Sequence, residues 1–227
     1  MQHLIIFLSF YVGVLVFYLL CVRRFKSWKI GLLGSLFLIL SPRIFAHSFY
    51  NSFDIPFLSV FVISIYTLLI YLDKKNFSSA FFHALACAIL IDIRTLGVIL
   101  PLFTLAFFIL DLLLVNTRRG DLKKKVVSLF LHISCLIFFT VLFWPMLWER
   151  PLHLFIQAFD YIGKTNFPCL FSVLYVGKYI ETINLPWHYI SLWIIITTPV
   201  VITLCFFFGF LISMKSFIKN PLKYYLS

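Results

Sequence analysis

Acid is what this sequence has least of. Eight Asp and Glu stand against 19 Lys and Arg in 227 residues, a formal charge of +11. Such an excess can signal nucleic-acid binding. That class is excluded here, because the basic residues fall in short clusters between apolar runs and not on one soluble face. Glycine is also sparse, and no Gly-rich nucleotide loop, HExxH or nucleophile elbow is present. This argues against direct use of a cytosolic nucleotide. Cysteine is limited to Cys21, Cys87, Cys135, Cys169 and Cys205. None forms a CxxC or other metal-ligand spacing, and only Cys169 lies in a long polar loop. Their expected role is apolar packing. No metal site and no cofactor is expected.

What is abundant is apolar. The chain is 63% hydrophobic with a mean hydropathy of +1.05. A soluble domain carries roughly 45–50% apolar residues. The surplus makes lipid the solvent, and backbone groups in lipid must be satisfied internally, by helices or a closed barrel. The runs are long and near-continuous, without the alternation of barrel strands. The fold class is therefore all-α: a polytopic helical membrane protein, one transmembrane domain over 1–227. The 29 Phe partly reflect compositional bias and are not each read as functional. The first run lacks a basic flank and a cleavage site, so it reads as a retained membrane helix.

Spans are expected at about Leu4–Val22, Ile30–Leu40, Ile55–Leu72, Ser79–Ile91, Leu96–Val115, Val126–Trp148 and Trp187–Met214. An outer loop over 149–186 precedes the last. Taking the connections alternately, 23–29, 73–78, 116–125 and 215–227 hold fourteen Lys and Arg. The other set holds Arg43, Arg94, Arg150, Lys164 and Lys178. Basic loops stay in the cytoplasm, which places the N-terminus outside and the C-terminus inside. The polar segment 41–56, the Asp92/Arg94 turn and the loop 149–186 then share the outer face.

The segment Ser41–Pro56 is far more polar than the runs on either side. His47, Asn51 and Asp54 are spaced i, i+4, i+7, one face if the segment is helical. An ionisable group this close to hydrocarbon is costly and usually paired or functional. Asp54 also suits a helix N-terminus through the helix dipole alone. Arg94 reads equally as a snorkelling arginine, paired to Asp92, or as a bidentate phosphate clamp. Trp144 and Trp148 fit an interfacial aromatic belt. The long loop brings Lys178, Glu181, Trp187 and His188, suited to sugar stacking or to anchoring the last span. His83 and His132 lie inside spans, without partners at ligand spacing, and read as packing residues.

Ser41-Pro42-Arg43-Ile44-Phe45-Ala46-His47-Ser48-Phe49-Tyr50-Asn51, with Asp54-Ile55-Pro56-Phe57, resembles the second outer loop of GT-C glycosyltransferases. The closest branch is that of protein O-mannosyltransferases and aminoarabinose transferases, glycosyltransferase family 39-like. Ile93-Arg94-Thr95, Trp144-Pro145, Leu185-Pro186-Trp187-His188-Tyr189 and Thr197-Thr198-Pro199 fit the same family. The resemblance implies transfer of a sugar from a polyprenyl-phosphate carrier to a lipid, glycan or protein acceptor at the outer face of a plasma (bacterial inner) membrane. It implies Asp54 as the catalytic candidate. Arg43, Arg94 and Lys178 would be phosphate contacts, and His47, Asn51, Glu181, Trp187 and His188 further substrate contacts. The family's key catalytic Asp lies in a first outer loop after a first span, and the chain as read starts beyond both. The partners implied are membrane lipid and the lipid-linked sugar donor. The rival expectation is a transporter or flippase of a lipid-linked or anionic substrate, marked by broken helices or ionisable groups near the bilayer midplane. A third is a non-catalytic membrane subunit.

Overall fold

The computed structural model describes residues 1–114, 119–163 and 172–219. The expectations for Arg118, Lys164, Cys169 and Lys223 lie outside the described residues. Two compact units divide the chain: 1–39 with 46–165, and 40–45 with 166–227.

The first unit contains α1 (Gln2–Phe25), α2 (Trp28–Ile39), α4 (Asp54–Lys74), α5 (Phe77–Ile93), α6 (Ile99–Leu114), α7 (Arg119–Phe143) and α8 (Pro151–Gly163); α3 (Pro42–His47) runs into it from the second unit. α1 packs on α2 and α4, α4 on α5, and α5 on α7. Each expected span in this unit has an α-helix over most of its described length, and the helix ends have local causes. α5 opens on a capping box: Asn76 Oδ1 accepts from the Ser79 amide at 2.9 Å and Ser79 Oγ from the Asn76 amide at 3.3 Å. α1 and α4 close on lysines in the left-handed region, Lys26 at φ 53° and Lys75 at φ 45°. Such a conformation costs a non-glycine residue roughly 1–2 kcal/mol. At Lys75 a hydrogen bond from its amide N–H to the Tyr71 carbonyl at 2.9 Å helps offset it.

Gln2–Phe25, Asp54–Lys74, Thr95–Leu113 and Leu122–Phe143 are long and apolar enough to cross a membrane. The sequence leads one to expect about seven crossings; among the described residues four qualify by length and composition, or five with one broken pair. The difference has a geometric reason. α2 has 12 residues and α5 has 17, about 18 and 26 Å of helix at 1.5 Å per residue. The expected final span, Trp187–Met214, is not one helix. α9 (Tyr189–Thr197) and α10 (Val200–Lys219) meet at a bend of 116°. Pro199 follows the break, and the residue before a proline is driven out of the α region; Thr198 is extended at φ −92°, ψ 132°. The second unit also departs from all-α by one hairpin, β1 (Ser172–Tyr175) with β2 (Lys178–Glu181), antiparallel with Tyr175 opposite Lys178. Val176 and Gly177 both have positive φ, 48° and 78°, as a two-residue I′-type hairpin turn requires.

Where α1 crosses α4 the backbones nearly touch. A Cβ placed on Gly13 would lie 2.9 Å from the Ser59 Cα. Small residues permit such approach between helices in lipid, where packing drives association. Gly13→Leu is expected to destabilise the first unit by about 1–3 kcal/mol through overpacking, read as a lower thermal transition. The control is Gly209→Leu in α10, where an added Cβ meets nothing within 4 Å.

The histidines inside the spans are more than filler. His83 and His132, both fully or nearly fully buried, stack at 4.9 Å with 12° between planes. Tyr71 stacks on both, at 5.7 and 5.3 Å. Thr67 Oγ1 lies 3.0 Å from His83 Nδ1, and Thr104 Oγ1 lies 2.8 Å from Nε2. A neutral imidazole has one N–H. One threonine therefore accepts from the ring while the other donates to it, releasing its own helix carbonyl (Ser64 or Leu100). This polar plug pins α4, α5, α6 and α7 together.

Candidate active site

His47, Asn51 and Asp54 do meet, but not on one helix. α3 ends at His47, residues 48–53 turn, and Asp54 opens α4. The side chain of Asn51 replaces helical spacing as the organiser. Its Oδ1 accepts from the amides of Phe53 (3.2 Å) and Asp54 (2.9 Å), an Asx turn. Its Nδ2 donates to Asp54 Oδ2 at 2.8 Å and to His47 Nδ1 at 2.8 Å. An amide has two acceptor lone pairs and two N–H donors, so every bond Asn51 can make is made. The arrangement fixes the His47 tautomer: Nδ1 accepts, so the proton sits on Nε2. The turn itself is tied to α1, where His3 Nδ1 donates to the Phe49 carbonyl at 2.6 Å and Phe7 stacks on Phe49 at 5.3 Å.

The other oxygen of Asp54, Oδ1, pairs with Arg94 Nη2 at 2.6 Å. Arg94 is the C-cap of α5, and its ion-pair partner is Asp54 where the sequence pointed to Asp92. Helix polarity explains the choice. An anion is favoured at the N-terminus of α4 and a cation at the C-terminus of α5, and the two helices bring those ends together. A 3-10 turn, Thr95–Val98, then folds back on α5. Gly97 makes that possible: a Cβ there would lie 2.6 Å from the Leu90 carbonyl oxygen. The pair is about half exposed, 48% for Arg94 and 55% for Asp54. Such pairs contribute at most about 1 kcal/mol to stability, so stability is a weak reason for it to be there.

At the far end of α4 lies a second set of ion pairs. Arg23 pairs with Asp73, and Asp111 accepts from Lys75 at 2.6 Å and Lys125 at 2.9 Å. The two sets are separated by the length of α4, 21 residues, or about 31 Å, close to the hydrocarbon thickness of ~30 Å. Ion pairs thus bracket the apolar middle of the first unit at both ends.

The other candidates belong to the second unit. Lys178 and Glu181 lie on the hairpin, Lys178 beside its turn and Glu181 accepting from Asn184 Nδ2 at 3.4 Å. His188 joins a ring cluster with Tyr175 at 6.1 Å and Trp187 at 5.4 Å, and Trp187 is 92% exposed. Arg43 lines a cavity of about 400 Å³ with Tyr189, Ile190, Trp193 and Ile194. Its Nη1 reaches Thr197 Oγ1 at 3.4 Å, and that hydroxyl is held by the Trp193 carbonyl at 2.7 Å. The walls are aromatic and aliphatic around one cation. Trp193, which also lines this cavity, was not singled out in the sequence, because an aromatic residue inside an apolar run is indistinguishable from lipid-facing surface. Among the described residues no group of three or more His, Cys, Asp or Glu is placed to hold a metal ion.

No curated protein and no solved structure matches the chain. A family profile does. Residues 3–144 match the family described as dolichyl-phosphate-mannose-protein mannosyltransferase, a stretch that covers α1 through α7 and includes every member of the Asn51 network. The chain therefore belongs to that family, multi-pass membrane glycosyltransferases of the GT-C type.

Proposed function

We propose that the protein transfers a sugar from a polyprenyl-phosphate carrier to a hydroxyl-bearing acceptor at the non-cytoplasmic face of the membrane. The observation that supports this best is the saturated Asn51 hub. It holds a carboxylate, an imidazole N–H and a guanidinium in fixed relation at one end of α4. In this reading Asp54 receives the proton of the acceptor hydroxyl, or orients the carrier phosphate. Arg94 keeps donors beyond those spent on Asp54 and stabilises charge on the departing phosphate. His47 Nε2–H faces a sugar or phosphate oxygen. Taken by itself, the second unit offers Arg43 over the aromatic wall of its own cavity as an anion contact, and the family resemblance makes Lys178, Glu181, Trp187 and His188 its candidate headgroup contacts. The seven-span, N-out topology belongs to the same proposal, its sidedness resting on the loop charges and its plasma-membrane location on the family resemblance.

The transporter reading has an observation of its own, the pair α9–α10 broken at Thr198–Pro199. One experiment separates the two. Full-length protein is reconstituted in liposomes with a polyprenyl-phosphate mannose labelled in the sugar. Transfer consumes the donor, releasing the sugar to an acceptor or to water; transport moves intact donor between leaflets. Arg94→Ala is expected to lower consumption by about 10²-fold, the scale of losing one transition-state charge contact. Leaflet exchange without consumption would establish the rival.

A further inference from the structure

α8 follows α7 after the 3-10 turn Pro145–Trp148, and no role is given to it above. Its surface divides into three. At about 100° per residue, Leu152, Ile156 and Phe159 fall within an arc of about 60°, and all three are exposed, Leu152 by 80%. His153, Gln157 and Asp160 form an adjacent arc of about 60°, also exposed. Leu154, Phe155 and Ala158 make the third, half-buried arc. That arc is the one turned to the protein: α8 packs on the 3-10 turn, and the Phe155 ring meets the Trp144 ring edge-on at 6.3 Å.

The Trp144–Phe155 contact fixes where α8 runs. The two stand eleven positions apart, so α8 comes back to the level at which α7 ends. The end of α7, a membrane-crossing helix, marks the membrane surface. Exposed apolar side chains recur along the chain from α7 into α8: Phe138, Leu142, Trp148 and Leu152. Thirteen residues make about 20 Å of helix, too short to cross a ~30 Å core. A helix with one apolar arc and one polar arc, at this level, has its place in the interface plane.

We infer that α8 is an interfacial helix whose Leu152, Ile156 and Phe159 insert into the acyl chains of the leaflet at which α7 ends. The occupant of this face is lipid, and the attachment is apolar in kind. None of the polar-arc residues described in α8, His153, Gln157 and Asp160, is a lysine or arginine, so the apolar arc is what attaches it. α8 then sets the depth at which the chain leaves α7.

Single cysteines at 152, 153, 156, 157 and 159 in full-length protein, with the native cysteines replaced, are spin-labelled and reconstituted in neutral phosphatidylcholine bilayers. Labels at 152, 156 and 159 are expected to collide with oxygen several-fold more than with a water-soluble nickel chelate, and labels at 153 and 157 the reverse. Reaction of the unlabelled cysteines with a membrane-impermeant maleimide gives an independent reading: fast at 153 and 157, slow at 152, 156 and 159. Two results overturn the inference. Nickel access at all five positions would put α8 in water. Labels at 152, 156 and 159 immobilised and shielded from both reagents would mean that protein covers the face.

Discussion

Asp54→Asn is expected to lower consumption of a polyprenyl-phosphate sugar by about 10²–10⁴-fold, the usual worth of a positioned proton acceptor, with the thermal transition nearly unmoved. The two readouts separate because of exposure. With both partners about half exposed, loss of the Arg94 pair costs at most about 1 kcal/mol. The substitution is nearly isosteric, so the Asx turn built on the Asp54 amide survives. What changes is the charge at one atom position. A swap, Asp54→Arg with Arg94→Asp, separates pairing from chemistry. It restores an ion pair between α4 and α5 but reverses both helix-end charges and removes the proton acceptor. A swapped protein with wild-type turnover would reduce the pair to a clasp and remove Asp54 from the reaction. Asn51→Ala is the intermediate case: carboxylate and guanidinium stay, but Asp54 Oδ2 and His47 Nδ1 both lose the donor that orients them.

Those residues were legible in the sequence as a polar cluster, and their geometry was not. The spacing of His47, Asn51 and Asp54 points to one helical face, yet a turn separates them and the amide of Asn51 does what helical spacing would have done. An Asx turn leaves almost no periodic trace, since it depends on one side chain and two amides. Arg94 was legible as a candidate; its partner was not, because Asp54 lies 40 positions away in the chain. The same limit hid the plug of His83, His132, Tyr71, Thr67 and Thr104. Each alone looks like an isolated polar residue in an apolar run, and only the packing of four helices makes them a cluster. Hydrophobic runs did locate the helices, since in lipid every apolar stretch must satisfy its own backbone. They could not show that the last run is bent at Thr198–Pro199, where one proline outweighs an otherwise continuous pattern.

Asp111 is a residue that the apolar run around it concealed, and its loss is expected to cost the most stability. It lies within α6 with its side chain 13% exposed, between Lys75 at 19% and Lys125 at 12%. Asp111→Ala would remove the carboxylate that bridges Lys75 and Lys125 and leave the mostly covered Lys75 ammonium without this acceptor. Removing one partner of a buried ionic group typically costs about 3–5 kcal/mol, chiefly as desolvation left uncompensated. The comparison is Asp73→Ala on the same level of the bundle. Asp73 is 68% exposed and its partner Arg23 29%, and its loss is expected to cost no more than about 1 kcal/mol. Thermal inactivation of the purified protein in one detergent should rank Asp111→Ala well below Asp73→Ala, and Asp73→Ala close to wild type. Adding Lys75→Met and Lys125→Met to Asp111→Leu should recover most of the loss, because an apolar replacement leaves no charge to desolvate. If Asp111→Ala matches Asp73→Ala, the two lysines have reached water along their own stems, and the triad is not the lock between α4, α6 and α7 that its burial implies.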